Sequence, residues 1–172
     1  MSELVRRIAV GIVVERRKAT SQWADFLWRP VAVLAGSPDA VAWTPLAEEA
    51  DTITYYAGPA DIVLHSSEAE NYRRNLISVA PAIWVAMHAT GGEPPYVIGG
   101  VTADPAEGEG WTEPGQVIVE AVAMSESLRD ERAAFVAQYP AQPGFVKRQR
   151  DRANPEALAR QARQIRRRDE RR

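Results

Sequence analysis

Residues 29–46, RPVAVLAGSPDAVAWTPL, decide between two architectures. If a helix followed Gly36, the segment would open a phosphate cradle on a parallel α/β sheet. If a strand follows, it is a turn between antiparallel neighbours. A cradle needs successive backbone N–H groups aimed at the anion, usually at a helix N-terminus, with a Lys or Arg nearby. Here Gly36 is the only glycine, and Pro38 removes one N–H. VAWTPL (41–46) has no helical period, and no basic residue stands between Arg29 and Arg73. The stretch therefore reads as strand, turn and short strand.

The segments on either side extend that pattern. Ile8, Val10, Ile12 and Val14 alternate along a first strand, where Gly11 marks a bulge or a close backbone approach. RRKATSQWADFLW (16–28) reads as a connector, and Pro30 opens the second strand, where its missing N–H does least harm. After an acidic break at Glu48, Glu49 and Asp51, TITYYAG (52–58) and ADIVLHS (60–66) read as two arms of a hairpin about Gly58-Pro59. SSEAENYRRNLIS (66–78) changes period, predicting a helix capped by Ser67, with Ala69, Tyr72, Leu76 and Val79 on its apolar stripe. AIWVAMHA (82–89) is apolar enough for a central strand, with Trp84 in the core. YVIGGVTA (96–103) and QVIVEAVAM (116–124) are further strands. DPAEGEGWTEPG (104–115) excludes a long helix, and SESLRDERAAFVAQY (125–139) predicts a helix capped by Ser125. Strands in runs, rather than alternating with helices, predict an α+β fold. It is a mostly antiparallel mixed sheet or half-barrel of about seven strands, with two or three helices and a basic C-terminal helical tail.

Bulk composition narrows the chemistry. The 172 residues include no cysteine, which excludes disulfides, thiolate nucleophiles and cysteine-ligated metals. No apolar run approaches a membrane span, and the N-terminus lacks a signal-peptide cleavage pattern, so a cytoplasmic location is expected. Charge is asymmetric: 147–172 hold 11 Lys/Arg against 4 Asp/Glu, and 1–146 hold 10 against 19. A single α+β domain over 1–146 is thus expected to carry a basic, partly helical extension over 147–172. That extension can fold back on its acidic body, dock on an acidic protein, or touch nucleic acid. It has no aromatic residue after Phe145, which disfavours nucleic acid.

The two histidines, His65 and His88, lie far apart in sequence with no carboxylate cluster at ligand spacing, so no metal site is expected. No nucleophile-elbow pattern is present, and no catalytic residue or cofactor is assigned. Arg73 and Arg74 read as a solvated helix face pairing with Glu70. Trp23, Trp28 and Trp43 flank the second strand, where large rings either cover a sheet face or form an interface.

Several strings in order carry a resemblance. They are VGIVVERR (10–17), WRPVAVL (28–34), YYAG (55–58), EAENYRRNL (68–76), PAIWV (81–85), VTADP (101–105), VEAVAM (119–124) and FVKRQRD (145–151). Over residues 10–151 the chain resembles the bacterial domain-of-unknown-function family 3305. Members of that family are typically encoded beside molybdenum-dependent formate dehydrogenase genes. Many carry the name molybdopterin-guanine dinucleotide biosynthesis protein A. The resemblance implies a non-enzymatic accessory protein supporting formate dehydrogenase maturation or assembly, with a formate dehydrogenase subunit or maturation factor as partner. The alternative it implies is a nucleotidyltransferase of molybdenum-cofactor biosynthesis, for which the Gly-rich, Lys-bearing loop is missing. For docking, the expected contact residues are Trp23, Trp28, Arg29 and Trp43 with Phe145, Lys147, Arg148 and Arg150.

Overall fold

Alternation along the first segment becomes a long strand, β1 (Val5–Lys18), which buries Ile8, Val10, Ile12 and Val14 on one face. The structure is a computed structural model and describes residues 4–111 and 117–141. β1 pairs antiparallel with β2 (Phe26–Ala35) and β4 (Thr52–His65), and β3 (Thr44–Glu49) pairs with the start of β4. The first sheet therefore runs β2-β1-β4-β3. A second, three-stranded sheet runs β6-β5-β7, with β5 (Ala82–Ala89) central between β6 (Tyr96–Thr102) and β7 (Val117–Ala123). Among the described residues every strand pair is antiparallel, so the expected mixed sheet or half-barrel is corrected to two antiparallel layers. β2 lies against β7, and β4 against β6. Each sheet has one apolar face. Stacking the two removes both faces from water, joining Val10, Ile12, Ile62 and Leu64 to Ile83, Val85 and Met87 in one core.

The 29–46 stretch is a turn between strands, as read. Gly36 takes φ 80°, and its N–H donates to the Ala9 carbonyl at 3.0 Å. Pro38 then packs on Gly11, where an added β-carbon would stand 2.8 Å from Pro38 Cδ and 2.9 Å from the Tyr56 ring. Gly11 thus marks the expected close approach. The Tyr56 hydroxyl donates to the Pro38 carbonyl at 3.2 Å and tethers the turn.

Residues 52–65 do not form a hairpin. They are one strand that bends at Gly58 (φ 128°) and pairs with β1 along its whole length, Pro59 opposite Gly11. Gly-Pro is a local turn signal, but the pairing surface of a fourteen-residue β1 outweighs it. β3 stops at the level of Tyr56, so Pro59 sits where β4 has only one paired side. Pro30 likewise lies inside β2, an edge strand, beside the register shift at Val13/Val14. The connector shrinks to 19–25, and the third strand starts at Thr44 rather than Val41.

A 3₁₀ turn (Ser66–Glu68) leads into α1 (Ala69–Leu76), so Glu68 rather than Ser67 occupies the cap position, with no side-chain cap bond. The helix ends before Val79, which is fully exposed, and the buried residues are Ala69, Tyr72 and Asn75. Arg73 and Arg74 both pair with Glu70, as expected. Arg73 does more: its Nη2 donates to the Tyr139 carbonyl at 2.6 Å, tying α1 to the end of α3 (Glu126–Val136). Ser125 caps α3 by accepting from the Leu128 N–H, and Tyr72 meets Phe135 edge-on between the two helices.

Within 104–115 a short helix forms, α2 (Pro105–Gly110), capped by Asp104 accepting from the Ala106 N–H. α2 packs on β5 through Gly108, where an added β-carbon would overlap Trp84 Cβ and Cγ. Trp84 is therefore half-buried under α2, on the face of β5 away from the main core. Helix propensity alone would make Gly108→Ala stabilising by about 1 kcal/mol. The clash is with atoms next to the Trp84 backbone, so overpacking prevails and a net loss of about 1–2 kcal/mol is expected. A thermal melt showing a raised Tm would refute that packing.

Candidate functional site

Trp28 organises the end of the sandwich remote from α1 and α3. In β1 the inward parity of Val14 continues to Arg16, whose register partners are Trp28 on β2 and Ile53 on β4. Trp28 stacks on Tyr55 of β4 at 5.8 Å with the planes 26° apart. Trp43 meets Trp28 edge-on at 5.9 Å, and Tyr96 of the second sheet reaches Trp28 at 6.0 Å. Trp43 takes φ 68°, unusual for a bulky residue, and its N–H donates to the Tyr56 carbonyl beside the cluster. Four rings from both sheets thus close this end. Ring pairs of this kind add about 0.5–1.5 kcal/mol beyond their buried area, so the base is rigid.

The Arg16 guanidinium lies 4.3 Å from the centroid of Phe26 and 5.7 Å from that of Trp28. Among the described residues Arg16 makes no ion pair, so its charge is held over ring faces alone. On the neighbouring positions Glu15 Oε1 accepts from Arg29 Nε at 3.3 Å and lies 3.2 Å from Arg17 Nη2. Glu15, Arg17, Leu27, Trp28, Arg29 and Glu120 line a cavity of about 250 Å³ at the edge where β2 meets β7. Beyond it the β1–β2 loop, closed by the Ala19 N–H to the Asp25 carbonyl, carries Trp23. Trp23 is 87% exposed, Leu27 59% and Phe26 42%.

Of the residues expected to dock a partner, Trp28 and Trp43 come together as half-buried members of one cluster, Arg29 stands beside it, and Trp23 is free in solvent. Phe145, Lys147, Arg148 and Arg150, with the basic tail, lie outside the described residues. Arg16, Tyr55 and Tyr96 were not anticipated. Arg16 shares the parity of Val14, which is the one signal that could have found it; Tyr96 joins from a strand more than sixty residues further along the chain. His65 ends β4, and its backbone N–H donates to the Tyr72 hydroxyl at 3.1 Å. Among the described residues no three His, Asp or Glu side chains group as a metal site, and no helix is long and apolar enough to cross a membrane.

A protein-family model described as a protein of unknown function (DUF3305) matches residues 9–150. No curated protein and no solved structure matches.

Proposed function

The chain belongs to the DUF3305 family of proteins of unknown function, and on that premise we propose that it is a non-enzymatic accessory protein that docks on a partner through the aromatic end of its sandwich. The single observation that carries this reading is Trp23, 87% exposed on a loop whose base is the Trp28 cluster, with Leu27 and Phe26 beside it. An exposed tryptophan on a rigid base is the composition of a binding hot spot, because ordering it costs little and burying it removes a large apolar area. Arg16 and Arg29 at the rim favour an acidic surface around the receiving slot and set the orientation of approach. The family resemblance points to the partner: a formate dehydrogenase subunit or maturation factor, met in the cytoplasm.

The test is affinity for purified formate dehydrogenase subunits. Trp23→Ala with Leu27→Ser is expected to weaken binding roughly 30-fold or more, as loss of a hot-spot tryptophan does, while the thermal melt stays unchanged because both side chains are exposed. Unaltered affinity in the double variant removes the loop from the interface, and failure of the parent chain to bind any subunit removes the partner. Arg148→Glu with Arg150→Glu tests the basic segment separately.

A further inference from the structure

The three-stranded sheet has an outer face that the main core does not use. Along β5, Trp84, Ala86 and His88 alternate with the core residues Ile83, Val85 and Met87, so they point outward. α2 covers Trp84. Beyond it, His88, Gly99, Gly100, Gly110, Trp111 and Val117 border a cavity of about 270 Å³.

Its floor is the Gly99-Gly100 pair of β6. Two adjacent glycines weaken a strand, and neither has the positive φ that would require glycine. Neighbouring side chains take up the room of their absent β-carbons. A β-carbon on Gly99 would overlap the His88 ring, and one on Gly100 would lie 3.0 Å from Trp111 Cη2 and 3.2 Å from Cζ2. The Trp111 atoms nearest the floor are the outer edge of its benzo ring. The indole therefore stands on that edge and offers a face as a wall. Among the described residues neither the Trp111 indole N–H nor the His88 ring has a hydrogen-bond partner. The cavity is at the small end of ligand sites, large enough for one planar ring system.

We propose that this cavity binds a small, planar heteroaromatic ring, stacked against Trp111 and hydrogen-bonded at its edge by His88. A flat ring exploits both walls together: the indole supplies a stacking partner and the imidazole reads a ring nitrogen, while the absent β-carbons of Gly99 and Gly100 give those two side chains their room. An aliphatic ligand of equal volume gains only its buried area. The proposal stands independently of the docking surface.

The test uses the ¹⁵N-labelled full chain titrated with adenine, following the tryptophan indole N–H resonances. Trp111→Phe assigns the one from Trp111. A saturable shift of that resonance is expected, with the other four tryptophans reporting an intact fold. Trp111→Leu, scored by calorimetry, is expected to weaken binding roughly tenfold or more, the size of a lost stacking contact. His88→Ala, an exposed position, is expected to weaken it without changing the melt. Cyclohexanol is expected to give no saturable shift. The proposal is overturned if adenine produces no saturable shift at Trp111, if cyclohexanol matches it, or if both variants bind as the parent does.

Discussion

Asn75→Leu is expected to destabilise the fold by about 3 kcal/mol or more, one of the two largest single-residue losses in the molecule. The Asn75 side chain is buried at the end of α1, where it joins three elements. Its Nδ2 donates to the Ala82 carbonyl at 2.8 Å and to the Ala103 carbonyl at 2.9 Å. Its Oδ1 accepts from the Ala82 N–H at 3.1 Å. Leucine fills similar volume but leaves the Ala82 N–H and carbonyl buried without their side-chain partner, at about 1–3 kcal/mol each before relaxation, and leaves the Ala103 carbonyl to Arg132 Nη2. Asn75→Asp is a sharper probe. The carboxylate faces two carbonyl oxygens with no hydrogen to offer, and burial holds its pKa above the ordinary range. In that variant the native state binds a proton that the unfolded state has released, so its stability rises as pH falls through the raised pKa. Urea unfolding at pH 5 and pH 7.5 should show a smaller deficit at the lower pH. A loss below about 1 kcal/mol for leucine would mean that the two Ala82 groups find other partners.

The second large effect concerns Arg132. It is fully buried in α3, with Nη1 donating to Met124 Sδ at 3.0 Å and Nη2 to the Ala103 carbonyl at 3.1 Å. The guanidinium lies 5.8 Å from the centre of the Tyr72 ring, and among the described residues Nε has no partner. Burial pulls its pKa down to about 10, partly offset by Tyr72 and Asp104, so the group is charged at neutral pH. Arg132→Ala is expected to cost about 3–5 kcal/mol, because it empties a core position and strips a carbonyl that Asn75 also uses. Arg132→Met keeps the volume and discards the buried charge, so it should lie within about 1 kcal/mol of the parent or above it. Equal losses in the two variants would mean that the hydrogen bonds, and not the volume, stabilise this site.

The alkaline limb provides an independent check. Between pH 10 and the unfolded value the unfolded chain binds the Arg132 proton and the native chain does not, so this group makes stability rise with pH there. Tyr72 opposes it. Burial raises its pKa, so above pH 10 the native state keeps a proton that the unfolded state has lost, and stability falls. In Arg132→Met only the Tyr72 contribution remains, and stability should fall more steeply above pH 10 than in the parent.

Much of the secondary structure was legible. Ile8 to Val14 alternate, AIWVAMHA is nearly all apolar, and Ser125 precedes a helical period, so each element leaves its pattern in a short window of sequence. Two of the failures share one cause. Gly58-Pro59 reads as a turn and Pro30 as a strand start over a few residues, whereas the long pairing with β1 is made by residues far away in the chain. At the candidate site Trp28 and Trp43 could be selected by residue type. Their partners Tyr55 and Tyr96, and the arginine lying over the rings, could not, because ring contacts between sheets leave no periodic trace in the chain.

The amino-acid order by itself settled the class of the fold, the antiparallel turn at Gly36 and the cap of α3, since each follows from dihedral preference and the period of burial. Tertiary structure alone decided that the strands divide into two stacked sheets, and that Asn75 and Arg132 converge on one carbonyl. It alone exposed Trp23 while half-burying Trp28 in a ring cluster drawn from both sheets. Those outcomes depend on which apolar faces meet when water is excluded, and that is a property of the folded surfaces and not of any window of sequence.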